Sequence, residues 1–322
     1  MKAVRVHEYG GPEVLRVEEI ATPVPAEKQI LVKQAAIGVN YIDTYQRSGL
    51  YPVNLPYTLG LEGAGVVEAI GADVASLQTG DRVAYVGTPG TYAQYVVVPA
   101  DRAVKVPDDL DLEQAAAAML QGMTAHYLVF QTYPLKPDDT CLIHAAAGGV
   151  GLLLVQLAKK CGAYVFATVS TEEKARLARE AGADEVILYT QTDFEKVVKE
   201  KTNGRGVQVV YDSVGRDTFD KSLNCLAPLG YLVLFGQSSG KVDKFDPALL
   251  AAKGSLFLTR PSLFDYIADR ASLEKRAYDV LGWVASGELK LHIGSRFPLD
   301  EAAEAHRALE GRKTTGKVLL IP

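Results

Sequence analysis

At 322 residues, with 48% hydrophobic and 23% charged residues and no low-complexity tract, the chain has the composition of a globular protein of about two domains. A formal net charge of −5 gives no electrostatic reason to bind nucleic acid or an anionic membrane surface. No apolar run approaches the roughly 18 residues of a membrane-spanning helix, and the first residues, MKAVRVHEYG, alternate like a strand instead of forming an apolar leader.

From Met1 to about Pro99 the signals are those of a β-rich barrel or sandwich: KAVRVHEY, LRVEEI, QILVKQAAIGV, GAGVVEAIG, DRVAYV and YAQYVVVP are short strand-like runs separated by Gly, Pro and Asp turns. The period then changes. EQAAAAMLQGMTAHYLVF reads as a helix, broken or bent near Gly122. After Pro137 strands and helices alternate: CLIHAAA, YVFATV, EVILY, VQVVYDSVG, GYLVLFGQ and SLFLTR stand at crossover spacing, which predicts a doubly wound parallel sheet. Beyond Pro261 the alternation lapses into a helix from Leu273 to Ser286, a strand at KLHIG, a helix EAAEAHRALEG and a last strand GKVLLIP. These read as a return to the first domain, which makes that domain discontinuous. Cys141, Cys161 and Cys225 lack C-x-x-C spacing, so neither a disulfide framework nor a zinc site is indicated, and the expected compartment is the cytoplasm. Five histidines, His7, His126, His144, His292 and His306, are too scattered for a metal site and read as surface or strand-end residues.

The stretch richest in chemistry is CLIHAAAGGVGLLLVQLAKKCGA. Ala146, Gly148 and Gly151 occupy the three positions of a G-x-G-x-x-G fingerprint, with Ala147, Gly149 and Val150 completing the turn. Such a turn, between a buried strand and a helix, offers N–H donors and a partial positive charge to a pyrophosphate; close helix–strand packing alone is the competing reading. An NAD-preferring site carries an acid at the end of the second strand. Here VSTEEK puts Ser170 and Thr171 there, with Lys174 one turn on, and Tyr189 ends the third strand. Hydroxyls and a cation suit a 2′-phosphate, hence NADPH. The same residues also fit a plain helix start, Ser170 with Glu173 as a capping box and Lys174 as a solvated charge. Two further strand-end loops, one with Ser213 and Val214 and one with Phe235, Gly236, Gln237 and Ser238, form a floor for the nicotinamide half, or ordinary turns.

GVNYIDTYQRSGLYP, PYTLGLEGAGVVEAIG, GDRVAY, HAAAGGVG, YDSVG and GSLFLTRPSL together resemble the zeta-crystallin-like quinone oxidoreductases, zinc-free members of the medium-chain dehydrogenase/reductase superfamily, over essentially the whole length. The resemblance implies an α/β subunit with a central Rossmann domain at 124–260 binding NADPH. A discontinuous GroES-like β-rich catalytic domain, 1–123 returning at 261–322, would complete a substrate cleft. In zinc alcohol dehydrogenases of the superfamily a cysteine ligand stands at the position of Asn40 and a histidine ligand at that of Leu61, so no metal is implied here. Without a Lewis acid, reduction of an electrophilic conjugated acceptor is favoured over alcohol oxidation.

The resemblance further suggests Asn40, Asp43, Tyr45 and Tyr51 as catalytic-site residues, against a helix N-terminal charge for Asp43 and core packing for Tyr45. Asn40, Thr124, Tyr127, Thr259, Arg260 and the basic run from Arg312 to Lys317 are further cofactor candidates. The function implied is NADPH-dependent quinone reduction. Reduction of enones, alkenals or enoyl thioesters is the enzymatic alternative, and an NADPH-binding structural or RNA-contacting role is the non-enzymatic one. The strand GSLFLTR, as a sheet edge, is the expected homodimer contact.

Overall fold

The computed structural model describes Met1–Pro322 as two compact units: Met1–Met123 with Ile267–Pro322, and Thr124–Tyr266. The return to the first unit thus falls at Ile267, six residues later than the sequence suggests. The intervening turn stays with the second unit because Tyr266 stacks on Tyr127 at 4.1 Å and its hydroxyl lies 2.9 Å from that of Thr132.

In the first unit the elements are β1 (Lys2–Val6), β2 (Arg16–Glu19), β3 (Gln29–Val39), α1 (Tyr41–Arg47), β4 (Tyr57–Thr58), β5 (Glu62–Ile70), β6 (Arg82–Val86), β7 (Tyr95–Pro99), β8 (Ala103–Lys105) and most of α2 (Leu112–Tyr127), whose last turn from Thr124 belongs to the second unit. The second unit follows with β9 (Thr140–Ile143), α3 (Gly149–Lys160), β10 (Tyr164–Val169), α4 (Glu172–Glu180), β11 (Glu185–Leu188), α5 (Phe194–Lys201), β12 (Val207–Asp212), α6 (Phe219–Asn224), β13 (Leu226–Leu234), α7 (Ala248–Ala252), β14 (Phe257–Thr259) and α8 (Leu263–Tyr266). The first unit then resumes with α9 (Arg270–Ala285), β15 (Ile293–Pro298), α10 (Ala302–Glu310) and β16 (Lys317–Ile321).

β3 organises the first unit. Eight of its 11 residues, QILVKQAAIGV, are apolar, and it pairs antiparallel with β5, β7 and β16. Ile37, Val39, Val318 and Leu320 meet Val4, Val6 and Leu59 in one core, while Ile30 and Val32 meet Val67, Val83 and Val98 in another. Each such buried side chain stabilises the fold by about 1.5–3 kcal/mol relative to exposure. α2 is not interrupted at Gly122; it runs to Tyr127 and passes into a wider π turn at Leu128–Thr132. The glycine serves close packing, since a Cβ there would lie 2.5 Å from Cγ1 of Val280 on α9.

The second unit holds one six-stranded sheet in the order β11-β10-β9-β12-β13-β14, every adjacent pair parallel. Strands buried on both faces require continuous apolar runs, and VFATV of β10 and VVY of β12 supply them. The strand order reverses between β9 and β12. Ligands of doubly wound sheets bind at such a switch point, beyond the carboxyl ends of the strands. No helix is long and apolar enough to cross a membrane.

Candidate functional site

The turn after β9 is built as its sequence requires. Ala145 takes a φ of +50°, Gly148 caps α3, and the helix runs 12 residues from Gly149. A Cβ on Gly151 would come within 2.4 Å of the Ala145 carbonyl oxygen and 2.7 Å of the Ala146 Cα, so only glycine lets the helix seat on the turn. At Gly148 a Cβ would meet the Ala145 carbonyl oxygen at 3.2 Å, a tight contact with backbone that glycine avoids. The first N–H groups of α3, at Gly149, Val150 and Gly151, lack intrahelical acceptors and face the positive end of the helix dipole. Residues and chemistry here fit a dinucleotide pyrophosphate.

At the end of β10, Thr171, not Ser170, is the N-cap of α4: its hydroxyl accepts from the Lys174 N–H at 3.3 Å. The cap lies one residue later than the sequence suggests; Ser170 occupies the bend between β10 and α4, where its carbonyl accepts from the Thr190 hydroxyl. Tyr189 is anchored alongside by its N–H to the Val169 carbonyl, and its side chain is exposed. Glu172 pairs with Arg179 at 3.8 Å, which offsets its charge near this cluster.

The loops after β12 and β13 lie against one another. The Ser238 N–H donates to the Ser213 carbonyl, the Ser239 N–H and hydroxyl both donate to the Val214 carbonyl, and a Cβ at Gly236 would meet the Ser213 carbonyl at 2.6 Å. Phe235 donates its N–H to the Asp212 carbonyl, Gln237 accepts through its carbonyl from the Gly240 N–H, and the Arg260 guanidinium, following Thr259, donates to the Leu234 carbonyl at 2.9 Å. The second unit therefore gathers Ala147–Gly151, Ser170, Thr171, Lys174, Tyr189, Ser213, Val214, the 235–238 loop, Thr259 and Arg260 at the carboxyl edge of its sheet. Thr124 and Tyr127, also of this unit, are buried on α2, and Tyr127 is covered by Tyr266.

In the first unit Asn40 and Asp43 come together inside the fold. The Asn40 amide donates to Glu62 Oε1 at 2.6 Å and to the Gly38 carbonyl, and accepts from Gln121 at 3.2 Å and the Lys317 ammonium at 3.1 Å. Glu62 also accepts the Leu120 N–H and is ion-paired with Lys317, the two side chains 0% and 2% exposed. Lys317 is therefore an interior cation and not part of a surface basic run, while Arg312 is exposed in the turn after α10. Asp43 takes the Asn40 N–H at 2.8 Å and the Tyr92 hydroxyl at 2.9 Å on Oδ2, and its Oδ1 has no partner. Burial pushes its carboxyl up to about 7, against the lowering effect of those two donors. With all four hydrogen-bonding positions of the Asn40 amide used and Asp43 wholly enclosed, these two residues hold the junction of β3 and α1. Tyr45 and Tyr51 are partly exposed and pair edge-on at 5.3 Å.

The network continues through Tyr92, His306, Arg47 and Glu310, none of which the sequence singles out as a site residue. Arg47 can only donate, so His306 accepts on Nδ1 at 2.9 Å. His306 Nε2–H then faces the Tyr92 oxygen at 3.1 Å, and Tyr92 donates to Asp43. Arg47 is itself held by a two-point pair to Glu310 at 2.8 and 2.9 Å. His144 does stand at a strand end, just past β9, but contrary to the surface reading His126, His144 and His306 are all buried; His144 and His306 bond residues distant in sequence, and His126 packs against Phe130. A histidine inside an apolar run, as in CLIHAAA, was the one available signal. No group of three or more His, Cys, Asp or Glu side chains is placed to hold a metal ion.

A six-stranded parallel sheet with a glycine turn at its switch point, carried on one chain with a β unit that is antiparallel except for its β15–β16 pair, defines the alcohol-dehydrogenase type of nucleotide-dependent oxidoreductase fold. Residues 26–108 match the alcohol dehydrogenase GroES-like domain and 149–266 the zinc-binding dehydrogenase domain. The quinone oxidoreductase of Pseudomonas aeruginosa is 47% identical over 100% of this chain and 99% of its own length. The crystal structure of Escherichia coli quinone oxidoreductase complexed with NADPH matches with a TM-score of 0.98 at 46% identity, covering 100% of both chains. A 2-haloacrylate reductase from a Burkholderia species is 43% identical over 99% of this chain and 98% of its own. The chain belongs to the quinone oxidoreductase family of the medium-chain dehydrogenase/reductase superfamily.

Proposed function

We propose that the chain is an NADPH-dependent quinone reductase, converting quinone, NADPH and a proton to quinol and NADP+. The observation that carries this is the end of β10, where Ser170, Thr171 and Lys174 replace the acid of an NAD site, in a chain similar over its full length to a quinone oxidoreductase crystallised with NADPH. When bound, NADPH supplies the reducing equivalents. The chain's own part is binding and orientation. The start of α3 takes the pyrophosphate, and Ser170, Thr171, Lys174 and Tyr189 take the 2′-phosphate. The loops at Ser213–Val214 and Phe235–Ser238, with Thr259 and Arg260, take the nicotinamide side, Thr124 and Tyr127 back the cofactor, and Arg312 adds a cation. Tyr45 and Tyr51 offer a flat acceptor aromatic faces, and Asn40 and Asp43 fix the helix that carries Tyr45.

The test titrates NADPH and NADH into the wild type and Lys174→Ala, and assays a benzoquinone and an α,β-unsaturated carbonyl at one enzyme concentration. The wild type is expected to prefer NADPH and the quinone, and Lys174→Ala to lose roughly tenfold of the nucleotide preference, the value of one charge-assisted contact. An unchanged preference refutes the phosphate assignment. The likeness to a 2-haloacrylate reductase favours a second reading, reduction of an activated alkene, which a large preference for the unsaturated carbonyl would establish. Tight NADPH binding with no turnover of either acceptor would mark a binding protein instead.

The proposal extends to a homodimer paired along β14. That strand ends the sheet, and Phe257, stacked on Tyr231 at 4.5 Å, is 47% exposed there. A monomer by light scattering at micromolar concentration would overturn it. Three free cysteines suit a reducing compartment, and the cytoplasm is the location proposed.

A further inference from the structure

We infer that His144 is a positioning residue for the dinucleotide site, tying the end of β9 to the end of β10 directly through Thr168 and to the end of β12 through Ser222 of α6 and Asp212, the strand ends that carry the pyrophosphate, 2′-phosphate and nicotinamide loops. The inference rests on the dinucleotide reading of this sheet edge. Backbone pairing of β9 with β10 and β12 ends at Ile143, opposite Ala167 and Tyr211. One residue further on, the His144 N–H still reaches the Tyr211 carbonyl at 3.1 Å, and the Ala146 N–H reaches the Thr168 carbonyl at 3.1 Å. Past this point the chain must turn into the glycine loop, and the His144 side chain takes over the tie. Its Nδ1 lies 2.9 Å from the Thr168 hydroxyl, and its Nε2 lies 3.0 Å from the Ser222 hydroxyl.

With Asp212 as a carboxylate, one assignment of protons satisfies every contact in this chain. Asp212 is a carboxylate and only accepts, so Ser222 donates to its Oδ2 at 2.9 Å, as does Thr218 at 2.7 Å. Ser222 has no second proton and therefore receives from His144 Nε2–H. Burial disfavours the charged imidazole, opposed by the Asp212 carboxylate, so Nδ1 is unprotonated and accepts from Thr168. The other Asp212 oxygen takes the N–H groups of Val214 and Gly215 at 2.8 and 3.0 Å. Thr168 lies two residues before Ser170, and Asp212 one residue before Ser213. Phe194, edge-on at 4.8 Å, fixes the ring plane. A fully satisfied polar chain in an apolar interior fixes one arrangement of its members more sharply than apolar packing does. Here its members are the bases of three ligand loops.

The test compares wild type, His144→Phe, which keeps the ring but makes neither hydrogen bond, His144→Asn, which retains an acceptor near Thr168, and Thr168→Val. Nucleotide fluorescence gives the NADPH dissociation constant, steady-state assays separate KM for NADPH from KM for quinone, and 15N NMR of the wild type reports the imidazole tautomer. The expected result is NADPH binding weakened by about 10–100-fold in His144→Phe, the range for removing a partner that orients direct ligands. KM for quinone should stay within twofold, His144→Asn should fall in between, and the Nε2–H signal should shift on adding NADPH. NADPH affinity within twofold of wild type in His144→Phe overturns the inference. If that variant does not fold, wild-type affinity in both His144→Asn and Thr168→Val overturns it. A wild type that binds no NADPH overturns the dinucleotide reading itself, whereas wild type and variants that bind equally well overturn this inference alone.

Discussion

Lys317→Met is expected to destabilise the protein by about 3–5 kcal/mol, the cost of leaving a buried charge without its partner. Glu62 is wholly enclosed, and its other hydrogen-bond donors, the Asn40 amide and the Leu120 N–H, are neutral. The loss should be read in urea unfolding of the full chain, as an early transition of the first unit. Glu62→Gln/Lys317→Met should recover much of it, because an amide still accepts from Leu120 and no net charge stays buried. A single variant within 1 kcal/mol of wild type would show that the pair is dispensable.

The second large effect is on pH dependence. Asp43 is pushed up to about 7 by burial, so the folded protein holds a proton there that the unfolded chain releases near 3.8. The stability this group contributes is complete below about pH 3.8 and is lost as pH rises through about 7. His306 is pushed down to about 3, first by burial and then by the Arg47 guanidinium, whereas in the unfolded chain it takes a proton below 6.5. Its contribution is complete above 6.5 and is lost as pH falls toward 3. Between about pH 4 and 6.5 the two slopes, each about 1.4 kcal/mol per pH unit, oppose one another. Asp43→Asn should therefore lose about 2–3 kcal/mol relative to wild type on going from pH 6.5 to 4.5, and His306→Gln should gain about as much. Unfolding free energies at pH 4.5, 5.5 and 6.5 measure this. Curves parallel to wild type for both variants would refute it.

The alternation of apolar strands and amphipathic helices after Pro137 carries the parallel sheet in the sequence itself, because each crossover is local, whereas the strand order that sets the switch point is seen only in the structure. The sheet edge on which the candidate residues gather is legible for the same reason: Gly148, Ser170 and Ser213 follow the ends of β9, β10 and β12 within a few residues. The polar interior of the first unit is not. Asn40 meets Glu62 across 22 residues and Lys317 across 277, and a lysine in RKTTGK looks solvated until a distant carboxylate removes it from water. Gly122 misleads for a related reason. Glycine in a helix signals a break when judged locally, yet the cause of this one lies on α9.

The discontinuity of the first unit bears on how the chain is made. Synthesis delivers β3 and Glu62 early, then all of Thr124–Tyr266, and only afterwards β16. The second unit has every strand of its sheet once Thr259 has emerged, so it can fold on the ribosome ahead of its predecessor. Until β16 arrives, β3 has an open edge at Ile37–Val39 and Glu62 waits without its cation. The nascent first unit is therefore the aggregation-exposed part of the chain, and its release from that state waits on β16.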